Sequence, residues 1–120
     1  MGNQLYSTSN KSLKIWDLET MQVVSDIQAH QGFIRCLTAW QERTLLVTAS
    51  DRSIILWDMV SLTQVTVLKG HKEEIRALTC GQGALGNMLF SGGKGTSSGG
   101  GLLIWDLRKG QAPIEEKEKN

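Results

Sequence analysis

The dipeptide Trp-Asp occurs three times in this 120-residue chain, and its spacing limits the possible folds more than any other feature. The three pairs begin at Trp16, Trp57 and Trp105, and each follows a short apolar segment such as Ile54-Ile55-Leu56. A Ser or Thr beside a small residue lies upstream of each pair. His30 and His71 repeat with the same spacing as the first two pairs. The chain is therefore built from a repeat of about forty residues.

Between these landmarks the sequence predicts short β-strands separated by turn residues. The apolar segments are rich in β-branched residues, and no window carries a sustained helical stripe. Four strands in each forty-residue repeat are typical of one blade of a β-propeller. The predicted strands lie near residues 4–8, 12–17, 21–27, 33–39, 45–50, 53–58, 63–68, 75–80, 88–92 and 102–107.

From about residue 3 to residue 107 the chain resembles the WD-repeat family of β-propellers, because the histidine, the Ser or Thr, the turn residue and the Trp-Asp pair recur in the same order. The resemblance implies an all-β fold, an incomplete WD-repeat β-propeller with four-stranded antiparallel blades. It divides the chain into a partial first blade at 1–29, a complete middle blade at 30–70, a third blade with a Gly-rich loop at 71–110, and a polar tail at 111–120.

The resemblance also implies a buried hydrogen-bond relay in each repeat. A buried indole N–H needs an acceptor, which the Ser or Thr hydroxyl supplies, and the histidine and the turn Asp satisfy the remaining polar atoms. The relay residues that it implies are Trp57, Thr48, His30 and Asp51 in the middle repeat, Trp16, Ser7 and Asn10 in the first, and Trp105, Ser91 and His71 in the third.

The third repeat departs from the family pattern. A glycine-rich stretch from Gly93 to Gly101 replaces the tight turn after Ser91, and no acid follows that serine. We therefore expect its relay to be broken or completed by water, and we expect the stretch to be a mobile surface loop.

Among the predicted strands, only those of the middle blade make a complete set of four. The first blade lacks its inner strand, and the third blade lacks its outer strand. Propellers close with about four to eight blades. We expect the three repeats to belong to a longer chain or to a truncated form that needs partners, and to self-associate when produced alone because the end sheets expose apolar faces.

Composition excludes several classes of protein. The formal net charge is +1, which gives no basic footprint for nucleic acid. No apolar run approaches the length that spans a membrane, and no signal peptide opens the chain. Cys36 and Cys80 stand far apart with no neighbouring thiol, so we expect both to be reduced and buried. These features favour an intracellular protein, cytoplasmic or nuclear.

No catalytic set can be assembled from these residues. The two histidines occupy the structural positions that the resemblance gives them, and neither a Ser-His-Asp set nor a metal-binding motif is present. The Gly93-Lys94-Gly95 segment lacks the Ser or Thr that a phosphate-binding loop requires. We therefore predict no enzyme activity, no cofactor and no metal.

The candidate binding residues lie at the start of the two inner strands, where Phe33 and Arg35 align with Glu74 and Arg76. In the WD-repeat family these positions ring the mouth of the central channel. The alternatives are a solvated rim and a surface that binds partner proteins, with the arginines as donors to acidic or phosphorylated segments and Phe33 as an aromatic anchor. We predict a non-catalytic protein-interaction scaffold; the alternative is the substrate-recruiting portion of a larger enzyme such as a ubiquitin ligase.

Overall fold

The computed structural model describes residues 3–94, 101–108 and 115–117, and within them the fold is all-β. Two single-turn 3-10 helices, Gln41–Arg43 and Gly83–Leu85, interrupt the strands. The strands of the described residues are β1 (Gln4–Ser9), β2 (Ser12–Asp17), β3 (Gln22–Gln28), β4 (Ile34–Trp40), β5 (Leu45–Ser50), β6 (Ser53–Asp58), β7 (Gln64–Lys69), β8 (Ile75–Cys80), β9 (Met88–Gly93), β10 (Leu102–Asp106) and β11 (Glu115–Lys117).

The strands form three antiparallel sheets, one for each repeat. The first sheet has the order β1-β2-β3, the second β4-β5-β6-β7 and the third β8-β9-β10-β11. The innermost strands of the second and third sheets, β4 and β8, lie beside each other. The three sheets therefore stack as successive propeller blades, and within the described residues they do not close into a ring.

All ten predicted strands are present, with ends that differ from the prediction by at most one residue. The third sheet differs in one respect, because the sequence analysis expected no outer strand in this blade. Residues 115–117, within the predicted polar tail, form β11 and pair with β10. The predicted mobile loop falls mostly at 95–100, outside the described residues.

The middle sheet carries the core on both of its faces. Every residue of β5 is buried, and so are the four central residues of β6. One side of this sheet packs against the third sheet through residues such as Val47, Leu56 and Leu103. The other side packs against the first sheet through Leu13, Ile15 and neighbouring residues. Strands buried on both faces explain why this repeat is apolar almost without alternation.

The sheets are also joined by backbone hydrogen bonds that repeat with the sequence. Asn10 and Asp51 both adopt positive φ angles, of 55° and 51°, in the turn between the second and third strands of a blade. The carbonyl of Asn10 accepts from Ile34 N at 2.7 Å, and that of Asp51 accepts from Ile75 N at 2.6 Å. Each turn is thus fastened to the first residue of the next inner strand.

Candidate functional site

The middle repeat contains a hydrogen-bonded chain of buried polar groups. The indole N–H of Trp57 donates to Oγ1 of Thr48 at 2.9 Å, and Nε2 of His30 lies 2.8 Å from the same oxygen. All three residues are buried. Because Oγ1 already accepts from the indole, the Thr48 hydroxyl can donate its own hydrogen bond to a neutral Nε2, which gives each of these groups a partner.

Burial lowers the pKa of His30, and the negative charge of nearby Asp51 opposes that shift only in part. The neutral form of the imidazole is therefore favoured, as its role as acceptor from Thr48 requires. Asp51 itself is exposed at the tip of the turn between β5 and β6. It acts on the relay through its charge.

The third relay is hydrogen-bonded directly from the indole to the histidine, whereas the sequence analysis expected it to be broken or completed by water. Trp105 donates to Oγ of Ser91 at 2.8 Å, and Nε2 of His71 lies 2.6 Å from that oxygen. All three residues are buried. The sequence change after Ser91 does not disturb this part because Gly93 N–H bonds to Gly101 O at 2.9 Å and holds the ends of the glycine-rich stretch together.

The first relay contains only the indole and the hydroxyl. Trp16 donates to Oγ of Ser7 at 2.8 Å, in the geometry of the other two repeats. Trp16 is only half-buried, whereas Trp57 and Trp105 are buried, because its face of the first sheet has no other sheet against it in the described residues. Asn10 lies in the turn between β1 and β2, at the position that Asp51 occupies in the middle sheet.

Two of the predicted binding residues converge on a third. Arg35 on β4 forms an ion pair of 3.2 Å with Glu74, and Arg76 on β8 forms one of 2.9 Å with the same carboxylate. The arginine side chains remain 47% and 60% exposed. Both guanidinium groups lower the pKa of Glu74, so this carboxylate stays ionised. We name Phe33, Arg35, Glu74 and Arg76 the rim cluster.

Backbone geometry places the two arginines. The register of β4 with β5 passes from Ile34 directly to Cys36, so Arg35 is the extra residue of a β-bulge. The register of β8 with β9 shows the same irregularity at Arg76. A bulge redirects the side chain of the extra residue. The two arginines align in the sequence because each is the extra residue of a β-bulge at the same point of its inner strand.

The remaining rim residue, Phe33, is 59% exposed and precedes β4. On one side of it a cleft of about 430 Å³ is lined by the turn between β1 and β2 and by Lys14, Asp26 and Gln28. A second cleft, of about 390 Å³, contains Glu74 of the rim cluster. Its lining residues are Asp51, Arg52, Lys72, Glu73, Glu74 and Lys94.

The sequence analysis missed a contact between the second and third sheets. Trp40, the one tryptophan outside the Trp-Asp pattern, is 1% exposed and donates its indole N–H to the carbonyl of Gly86 at 2.9 Å. Next to it, Arg43 donates to the side-chain oxygen of Asn87. A tryptophan at the end of an inner strand was the available signal, but its acceptor is a backbone atom that no motif marks.

The Asp of the Trp-Asp pair has a local role that the sequence analysis also left out. Oδ1 of Asp58 accepts from the backbone N–H groups of Val60 and Ser61 at 2.8 and 2.9 Å, and these bonds lower its pKa. Asp17 and Asp106 accept in the same way from Glu19 and Arg108. Each Asp therefore organises the turn that leads to the outer strand.

The two cysteines are free thiols, and they are half-buried rather than fully buried as expected. Burial raises the pKa of both, and that of Cys80 to about 11. Among the residues that the structure describes, no group of His, Cys, Asp or Glu could hold a metal ion. Over the same residues, no helix is long and apolar enough to cross a membrane.

Stacked antiparallel sheets of three and four strands, with a relay in each, define a β-propeller type of repeat protein. The model of the family described as WD domain, G-beta repeat matches residues 21–58, which run from the end of the first repeat through β6. Residues 21–58 are therefore a WD40 repeat. WD40 repeats are generally protein-interaction scaffolds and are typically non-catalytic. No curated protein matches the chain.

Proposed function

We propose that this chain is a non-catalytic scaffold that binds partner proteins. The binding surface is the channel-mouth face, which carries the rim cluster, and it recognises acidic or phosphorylated segments of the partner. The observation that carries the proposal is the pair Arg35 and Arg76, which two adjacent inner strands present from equivalent bulges. Guanidinium groups bind carboxylates and phosphates through paired, charge-assisted hydrogen bonds.

The charges around the pair support an anionic partner. Glu74 engages both arginines but carries one negative charge against their two positive charges. Basic residues also outnumber acidic ones over the rim cluster and the adjoining cleft. The basic residues are Arg35, Arg52, Lys72, Arg76 and Lys94, and the acidic ones are Asp51, Glu73 and Glu74.

Phe33 supplies the apolar part of the proposed surface. Its aromatic ring is 59% exposed, and it lies two residues before Arg35 in the chain. Aromatic residues and arginine carry most of the binding energy at interface hot spots. Phe33 also lines the cleft beside the turn between β1 and β2, so a bound segment could extend into that cleft.

The test compares two substituted chains that lose the same charge. Arg76→Gln removes one of the proposed donors, while Arg43→Gln removes one positive charge at the opposite end of the sheets, beyond the last residue of β4. The probe is a labelled, glutamate-rich decapeptide with a central phosphoserine, titrated beside its unphosphorylated form. We expect the rim substitution to weaken binding by about 1.5–3 kcal/mol.

The control substitution should leave the affinity almost unchanged, since exposed charges far from the site act only through screened interactions. Unfolding midpoints of both variants should stay near that of the parent chain, because exposed substitutions usually change stability by about 0.5 kcal/mol or less. Equal losses in the two variants, or a loss in the control alone, would show that the channel-mouth face is not the binding surface.

A further inference from the structure

Lys94 stands at a position where the middle repeat has an acid. It follows β9 directly, as Asp51 follows β5. The residues before them, Gly93 and Ser50, lie opposite the isoleucine that begins the inner strand of their own sheet. The third repeat therefore places a positive charge where the middle repeat has a negative one, and it does so in the cleft that contains Glu74 of the rim cluster.

A backbone contact holds Lys94 next to Glu74. The N–H of Lys94 donates to the carbonyl of Glu74 at 3.1 Å. The preceding glycine permits this approach, because a Cβ on Gly93 would lie 2.4 Å from the same carbonyl oxygen. Lys94 and Glu74 also line the same cleft, of about 390 Å³. The position of the lysine beside the rim cluster is thus fixed by the backbone.

Three cations therefore surround one carboxylate. Arg76 donates from Nε and Nη2 to Oε1 of Glu74, and Nε of Arg35 lies 3.2 Å from Oε2. The hydrogen bond from Arg76 lowers the pKa of Glu74 most, and the charges of Arg35 and Lys94 lower it further. In the part of the chain that the structure describes, the ammonium group of Lys94 forms no ion pair. Three positive charges and one negative charge leave a net charge of +2 at this point.

This excess of positive charge matches a phosphate monoester better than a carboxylate. A phosphorylated side chain carries about −1.5 to −2 charges at neutral pH and has three acceptor oxygens, whereas a carboxylate carries one charge and two oxygens. Arg35, Arg76 and Lys94 come from three different segments of the chain, which are β4, β8 and the end of β9. The other charges of the cleft cancel, since they are Arg52 and Lys72 against Asp51 and Glu73.

We propose that Lys94 makes the rim cluster selective for a phosphorylated side chain over a carboxylate. Arg35 and Arg76 bind either anion, and Lys94 supplies a third contact for the additional oxygen and charge of the phosphate group. This inference rests on the proposed function and names the anion that the site prefers. Lys94 is then a specificity-determining residue, although it lies outside the four residues of the rim cluster.

The test uses the full chain and the labelled decapeptide with phosphoserine, glutamate or serine at its central position. We expect the parent chain to bind the phosphoserine peptide about tenfold more tightly than the glutamate peptide, as one additional charge-assisted hydrogen bond would give. In Lys94→Gln the two affinities should become similar, whereas Lys94→Arg keeps the charge and the donors and should retain the preference. Arg43→Gln makes the same change in net charge elsewhere and should leave the ratio of the two affinities unchanged.

The inference and the proposed function fail in different ways. Equal affinities of the parent chain for the phosphoserine and glutamate peptides would overturn the inference and leave an acid-binding surface in place. An unchanged preference in Lys94→Gln would also overturn it, because the selectivity would then not come from this lysine. If the parent chain bound none of the peptides, the proposed function would be wrong and the inference with it. Thermal unfolding midpoints of the variants should match that of the parent chain, since Lys94 and Arg43 are exposed.

Discussion

The indole N–H of Trp40, the last residue of β4, donates a hydrogen bond of 2.9 Å to the backbone carbonyl of Gly86 in the third repeat. The side chain is buried where the second and third sheets meet, within the same cluster as Trp105 and Leu89. A tryptophan outside the repeated pattern therefore fastens one blade to the next.

We expect Trp40→Phe to destabilise the chain by about 1–3 kcal/mol, because a smaller aromatic ring remains while the buried carbonyl of Gly86 loses its donor. Trp40→Ala should cost more, about 3–5 kcal/mol, since it also leaves a cavity. Urea unfolding of both variants measures the difference. Equal stabilities for the parent chain and Trp40→Phe would show that the hydrogen bond contributes nothing.

The relay of the middle repeat makes a second prediction. Thr48→Val keeps the shape but leaves the Trp57 indole and His30 without their shared partner, at a cost of about 1–3 kcal/mol. Thr48→Ser retains the hydroxyl, as in the other two repeats, and should cost less. Trp57→Ala should cost about 3–5 kcal/mol. If thermal unfolding of Thr48→Val matched that of the parent chain, the relay would have no role in stability.

The strand boundaries could be predicted from the sequence because turns and apolar segments alternate with a fixed period. Each apolar segment forms a strand, and those of β5 and β6 are buried on both faces of the sheet. The structure therefore has every predicted strand, with ends within one residue of the prediction. The strand β11 was not predicted because Glu115-Glu116-Lys117 has low intrinsic strand propensity. It forms by pairing with β10, and pairing is a tertiary property.

The candidate site was predictable only in part. The alignment of Arg35 with Arg76 follows from the repeat, but their shared ion pair with Glu74 depends on β4 and β8 lying side by side. The acceptor of Trp40 is a backbone carbonyl 46 residues away, in a loop that differs between repeats. Contacts of this kind carry no periodic signal.

Stability should fall in mild acid because of His30. Its folded-state pKa is lowered by burial, so the unfolded chain takes up a proton more readily below about pH 6.5. The contribution of the neutral imidazole is present above that pH and is lost as the pH falls towards the folded-state pKa. The slope can reach about 1.4 kcal/mol per pH unit for one proton.

Urea unfolding at pH 7.5 and pH 5.5 measures this dependence. His30→Gln should be less stable than the parent chain at pH 7.5, and its stability should change less between the two pH values. An identical pH dependence in the parent chain and the variant would show that His30 does not titrate on unfolding.

The thiol of Cys80 should react slowly in the folded chain. Burial raises its pKa to about 11, so the thiolate fraction at neutral pH is about a hundredfold smaller than for an ordinary thiol. Iodoacetamide labelling followed by mass spectrometry should show a much faster reaction at Cys80 in urea than in buffer. Similar rates in the two conditions would contradict the burial of this side chain.

The last prediction concerns Glu74 as an internal competitor for the two arginines. Glu74→Gln removes the carboxylate that engages Arg35 and Arg76, so both guanidinium groups become available to an acidic partner. We expect tighter binding of the phosphoserine peptide with little change in stability, because exposed ion pairs contribute little. The sign is opposite to that expected for the substitution of the arginines themselves. Glu73→Gln is the matched control, since it makes the same change in net charge one residue away. Titrations of both variants at two salt concentrations separate the effect of net charge from the release of the arginines. Net charge alone would raise the affinity of both variants equally. Release of the arginines would raise it in Glu74→Gln alone.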